Sequence, residues 1–195
     1  MGTVNAPFGM RPLYHPSGFI RPATMKLNKT LAEATPTLFQ YQPVAIDSTG
    51  RLAAAVNGSD YVGVFMGVEW TELSTGRPAL SNQWTNGTLV KDLGPDSARF
   101  YYTRDPYIIY QVQASQALSP DDIGEQAAFL NATAGNTTTG LSTAALDGST
   151  VSGAQNMMSI IGLDWDINNA DWTDTFPTLQ VRIARHQDVA IKAGY

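Results

Sequence analysis

The feature that most limits the fold is an apolar alternation of period two. It returns in short runs along the chain, and no sustained helical period competes with it. The run from Tyr61 to Trp70 shows it best: Val62, Val64, Met66, Val68 and Trp70 are expected to share one buried face, and Gly63, Phe65, Gly67 and Glu69 the other. From about Leu38, Val44 and Ile46 lead into the turn-forming Asp47-Ser48-Thr49-Gly50, after which Arg51-Leu52-Ala53 returns as the second arm of a hairpin. Arg99–Thr103 and Tyr107–Ala114 read as strands around Arg104-Asp105-Pro106, with Ile108, Tyr110 and Val112 facing in and Gln111 and Gln113 facing out. Ile161, Leu163, Trp165 and Ile167 alternate again, as do Leu179, Val181 and Ile183. Ser119-Pro120-Asp121-Asp122 carries a cap, a proline and two acids in the order a helix start needs, and Gly124 limits it to a single turn. The expected fold is mainly β, an antiparallel barrel or sandwich with an extended N-terminal arm and little helix.

The arm is residues 1–24, where Pro7, Pro12, Pro16 and Pro22 suit neither helix nor central strand. It carries more apolar side chains than a disordered tail would: Phe8, Met10, Leu13, Tyr14, Phe19 and Ile20. Two placements are open, a fold back onto its own domain or docking on a neighbouring subunit. In the second, Phe8, Met10, Arg11, Leu13, Tyr14 and Phe19 form a protein interface, and removal of residues 1–22 would leave a folded domain. Residues 25–195 are expected to form one β-rich domain. Within it, 131–156 is dominated by Ala, Thr, Gly, Ser and Asn, and is expected to give weak edge strands and a long mobile connection.

Composition narrows the role. A chain of 195 residues can bury about 70% of its unfolded surface, enough for a core without metals or disulfides. Cysteine is absent, which removes disulfides and thiolate metal sites. With a net charge of −5, the chain is not expected to bind nucleic acid. No apolar run is long enough to suggest a spanning helix, the N-terminus lacks a secretory signal, and Ala6 stands where a myristoylation motif needs Ser or Thr. No membrane partner is expected, and synthesis in a cytoplasm is.

The residues that could carry chemistry do not assemble into a motif. The two histidines, His15 and His186, lie far apart in sequence and in unrelated contexts. Asp164-Trp165-Asp166-Ile167-Asn168 opens like a calcium loop, but Asn169 stands at the glycine position and Thr175 at the bidentate glutamate position. In a strand, such alternating acids mark the solvent face. Asp121-Asp122 is read as helix-start acids, and Asp171 and Asp174 as loop acids around Trp172. Asn28, Asn57, Asn86, Asn131 and Asn136 head Asn-x-Ser/Thr triplets, read as Thr- and Ser-rich β composition. No phosphate loop, nucleophile elbow or zinc spacing occurs, so no catalytic residue and no cofactor are expected.

Asn5-Ala6-Pro7-Phe8-Gly9-Met10-Arg11-Pro12 resembles the opening of a family of small tailed-bacteriophage head proteins. The likeness continues in Val62-Gly63-Val64-Phe65-Met66-Gly67, through Trp84, in Asp122-Ile123-Gly124, in Leu146-Asp147-Gly148-Ser149 and in Ile160-Ile161-Gly162-Leu163. The end, Val181-Arg182-Ile183-Ala184-Arg185-His186-Gln187, is similar too, although the family often has Asn where Ala184 stands. The family consists of capsid decoration, or cement, proteins. The resemblance implies a virion protein on the outside of the head, with the major capsid protein and other copies of itself (dimer or trimer) as partners, and no catalytic residues. A tail-tube, adaptor or fibre-associated role, host-surface adhesion through loops such as 71–98, and a virion glycan hydrolase are the alternatives.

Overall fold

The computed structural model describes residues 4–152, 156–165 and 171–189. In chain order the strands are β1 (Arg11–Tyr14), β2 (Ala23–Leu27), β3 (Leu38–Phe39), β4 (Pro43–Ile46), β5 (Leu52–Ala54), β6 (Gly63–Thr71), β7 (Pro78–Ser81) and β8 (Gln83–Trp84). They continue as β9 (Ala98–Tyr102), β10 (Ile109–Gln113), β11 (Gln126–Leu130), β12 (Gly135–Asn136), β13 (Leu141–Ser142), β14 (Ala145–Ser152), β15 (Met158–Leu163) and β16 (Thr178–Ile183). A five-residue helix, α1 (Lys29–Glu33), starts where the Asn28 side chain accepts from the Leu31 N–H at 2.9 Å. The turn at Pro120–Asp122 is a 3-10 turn, its start held as expected by Ser119 and Asp122 bonding each other's backbone.

Two six-stranded antiparallel sheets result, and the arrangement is sandwich-like. The first runs β1-β10-β16-β15-β11-β14; the second runs β2-β9-β6-β4-β5, with β7 beside the far half of β6. The first sheet curls back on itself: the Ser115 N–H donates to the Leu146 carbonyl at 2.9 Å, and Ala114 bridges Leu146 across to β14. One core lies inside this curl, around Tyr110, Phe129, Leu146, Met158 and Val181. The other lies on the second sheet, around Phe65, Phe100 and Trp84, whose rings meet edge to face or tilted.

Strand β6 serves both cores, so its face assignment differs from the simple alternation. Val64 and the half-buried Met66 point into the first core, while Phe65, Val68 and Trp70 face the second. A bulge between Phe65 and Gly67 sets two residues of β6 against one of β9, which moves the second-core positions from odd to even numbers. A second bulge, between Ile160 and Gly162, does the same to β15. There Met158, Ile160 and Leu163 are inside while Ile161 and Trp165 are exposed, contrary to the expected inward row. Ile167 lies outside the described residues. Strand β16 itself carries no inserted residue, and Leu179, Val181 and Ile183 are buried as expected.

Long-range packing alters two further expectations. Gln111 and Gln113 are buried, because the N-terminal arm lies across that side of β10. The stretch 131–156 does supply an edge strand, β14, but it also enters the first core through Ala132, Ala144 and Leu146. Small side chains let it pack closely: a Cβ on Gly135 would sit 2.2 Å from the Phe39 ring. Asn57 clasps the neighbouring β11, donating to the Phe129 carbonyl at 2.7 Å and accepting from its N–H at 3.1 Å.

The sheets join at Thr103. Its Oγ1 accepts from the Val64 N–H at 2.9 Å and shares a hydrogen bond with the Tyr110 hydroxyl at 2.9 Å, and its own N–H donates to the Val64 carbonyl at 3.0 Å. Burial pushes the Tyr110 phenol above its ordinary value. Only glycine fits at position 63, where an added Cβ would fall 1.9 Å from the Thr103 carbonyl oxygen. Because the obstacle is backbone, Gly63→Ala is expected to cost on the order of 3 kcal/mol. Gly162→Ala, whose Cβ would meet nothing within 4 Å, should leave the urea midpoint nearly unchanged.

The β4–β5 turn makes a separate, pH-dependent contribution. Burial alone would raise the Asp47 carboxyl, but hydrogen bonds from Thr49 and Arg51 outweigh it and hold it down to about 2. A depressed carboxyl stabilises the fold above its unfolded value near 4, and that stabilisation is lost as pH falls from about 4 to about 2. Asp47→Asn should remove on the order of 1–2 kcal/mol at neutral pH and flatten the acid limb of the stability curve over that window.

Candidate interaction surfaces

The N-terminal segment starts on β10. Gln113 holds it on either side of Asn5, its Oε1 accepting from the Ala6 N–H at 2.9 Å and its Nε2 donating to the Val4 carbonyl at 3.0 Å. Gly9 then turns with φ 83 against Tyr41, whose carbonyl would lie 2.5 Å from any Cβ placed there, and the Met10 N–H donates to that carbonyl at 2.8 Å. The tight turn drives Met10 inward until it is fully enclosed in the first core. Arg11 lies over the Phe8 ring, 5.5 Å from its centroid, and donates to Gln111 Oε1. Gln111 Nε2 in turn donates to Asp164, which also accepts from Gln180 Nε2 at 3.2 Å. Asp164, expected on a solvent face, is therefore buried in an amide cluster.

Of the six arm residues singled out from sequence, the structure divides the set. Met10 is core and offers nothing to a neighbour, and Phe8 is half-buried under Arg11. Arg11, Leu13, Tyr14 and Phe19 face solvent, Phe19 with 73% of its surface accessible. Beyond β1 the arm is tethered at His15, whose Nδ1 accepts from the Ser17 N–H at 3.0 Å and whose Nε2 lies 3.3 Å from Asp105 Oδ1. The exposed Tyr107 stands two residues beyond that carboxylate, and Arg104 makes a forked pair with Asp188 at 2.8 and 3.2 Å. Hydrogen bonding from Arg104 holds Asp188 below the usual carboxylate range.

A second surface lies around the β6–β7 hairpin, largely within the 71–98 stretch offered for host-surface adhesion, although sequence singled out no site residue in it. Trp70, Leu80 and Leu93 line a hollow of about 380 Å³ together with Glu69, Asp96 and Arg99. Trp70 also walls an adjoining hollow of about 320 Å³ with Leu73, Leu89 and Glu72. The indole is fixed by an edge contact to buried Trp84, 5.5 Å between centroids. Arg99 bonds Glu69 at 3.0 Å, and Asp96 pairs with Lys26 at 2.9 Å, so both carboxylates are ion-pair partners. The signal in the sequence is four leucines, Leu73, Leu80, Leu89 and Leu93, spaced without a period through a largely polar stretch.

The remaining candidates stay dispersed. His186 is buried, which lowers its pKa, and its Nδ1 accepts from the Asp188 N–H at 3.1 Å. Among the described residues no group of three or more His, Cys, Asp or Glu side chains could hold a metal ion. Asp166 and Asn169 of the calcium-like segment lie outside the described residues. Asp122 is occupied at the Ser119 turn. Asp171 bonds the Thr173 N–H, which lowers its pKa. No helix among the described residues is long and apolar enough to cross a membrane. No protein-family model matches the chain, and neither a curated protein nor a solved structure matches it.

Met10→Ala should cost about 2–5 kcal/mol by urea unfolding, whereas Leu13→Ala and Phe19→Ala should stay within about 0.5 kcal/mol. Removal of residues 1–22 would uncover Gln111 and Gln113 and empty the Met10 site. The truncated chain is expected to unfold at a clearly lower urea concentration than the parent.

Proposed function

We propose that this chain is a structural virion protein that binds the outside of a tailed-phage head shell and stabilises contacts between capsomers. Its partners in this reading are the major capsid protein and further copies of itself, it is made in the host cytoplasm, and it catalyses nothing. The resemblance of its opening, middle and closing segments to phage decoration proteins points to the class. The observation that carries the reading is the way the arm is divided. Gly9, Met10 and Gln113 pin it to the domain, and Leu13, Tyr14 and Phe19 are held outward on that fixed base.

Such an arrangement suits a clamp. Apolar side chains already fixed in place lose little freedom on docking, so more of their burial, at about 25 cal/mol per Å², survives as affinity. On a symmetric shell, modest contacts repeated over many copies hold firmly in sum.

The test is the copy number bound to purified undecorated heads. The parent should saturate them, and the double variant Leu13→Asp/Tyr14→Asp should need at least tenfold more protein for half occupancy, with its thermal midpoint unchanged. Full binding by the variant would move the docking surface elsewhere. Binding to isolated tails and not to heads would favour the tail or adaptor role.

A further inference from the structure

Two exposed apolar surfaces sit at opposite ends of the second sheet. The arm enters at the end where Ala23 faces Tyr102, and Phe19 lies there with Asp105 and Ile108 around one cavity. The hairpin hollows open at the other end, where Trp70 faces Ala98. Four residue steps of β9, roughly 13 Å, separate the two ends. The arm is bound at both margins, by Gln113 before it and by β2 after it, so one copy's arm cannot reach its own hairpin.

The two surfaces complement each other in charge as well as in character. Residues 4–22 carry Arg11 and Arg21 and no acid, and Arg21 makes no ion pair among the described residues. The hollows are lined by three acids, Glu69, Glu72 and Asp96, against one cation, Arg99. Glu72 is the acid there without a cation of its own; among the described residues its carboxylate accepts from the Thr75 hydroxyl, at 2.8 Å. Leu80 and Leu89 are 77% and 60% accessible beside it, large aliphatic faces left open around a fixed indole.

We infer that the hairpin hollows receive the arm of a second copy of this chain, with Phe19 seated between Trp70, Leu80 and Leu89 and Arg21 paired to Glu72. The contact is head to tail: each copy offers its arm to one neighbour and its hairpin to another. A contact of that kind propagates until rotation closes a ring. The inference rests on the self-association in the proposed role and specifies its two surfaces.

Phe19→Asp and Leu80→Asp test it, since both side chains are exposed enough for the fold to tolerate the change, which circular dichroism would verify. By sedimentation velocity the parent should be an oligomer, and each variant alone a monomer at the same concentration. The deciding measurement is the equimolar mixture. A Phe19→Asp copy keeps an intact hairpin and a Leu80→Asp copy an intact arm, so the mixture should form a one-to-one dimer and grow no further. A monomeric parent, a variant that keeps the parent's mass, or a mixture that stays monomeric would each overturn the inference. Head occupancy by the parent, measured separately, reports on the decoration role whichever way this experiment falls.

Discussion

Strand β6 and the Thr103 hydroxyl that grips it decide how the rest of the chain can pack. The Val64 amide and carbonyl are both taken by Thr103, and the same hydroxyl reaches Tyr110 on β10 of the other sheet. One polar side chain thereby satisfies groups of both sheets in a place that water does not reach, where an unpaired backbone amide would be costly. The approach is possible because residue 63 has no side chain. Two residues later the Phe65–Gly67 bulge turns the strand, so its later side chains leave the first core and build the second. The two cores are therefore adjacent regions fed by one strand, and the geometry at the joint is transmitted to both.

This explains which parts of the fold could be read from sequence. The β class and seven of the strands, β4, β5, β6, β9, β10, β15 and β16, were legible because period two survives along most of their length, as in β16 or the β4–β5 hairpin with its Asp47 turn. Face assignment failed in β6 and β15 for a local reason. One inserted residue reverses inside and outside for everything after it, and Gly67 and Gly162, the glycines at the two bulges, permit such an insertion without requiring one. The short α1 carried too few residues to show a helical period. For β10 the reason is long-range: Gln111 and Gln113 look like a solvent row until residues about a hundred positions earlier are laid over them.

The same limit applies to the arm. Met10 and Leu13 are both apolar and three positions apart, yet one is sealed in the core and the other faces water. What separates them is Gly9 turning against the Tyr41 carbonyl, a contact between distant parts of the chain that no local pattern encodes. The hairpin surface is a converse case. Single leucines in a polar stretch carry no period, and they become a surface only because β7 and the segment before β9 bring them around Trp70. The single glycines and prolines of the arm were informative about stiffness but silent about destination.

A consequence for energetics follows from the way the arm is split. If the whole arm were free, docking it would have to offset the ordering of some twenty residues, at roughly 1–2 kcal/mol each for the backbone alone. Several exposed side chains could not supply that. Here folding of the domain itself has already ordered the arm, through Met10 in the core, the β1–β10 pairing and the β2–β9 pairing. The prolines lower the cost further by restricting the unfolded chain. What remains at docking is the immobilisation of a few exposed side chains, each on the order of 1 kcal/mol, against the apolar area they bury. In the proposed role, a small set of outward residues would thus be enough for binding that depends on many weak, repeated contacts, and the residues that pin the arm inward would matter to that binding as much as those that face out.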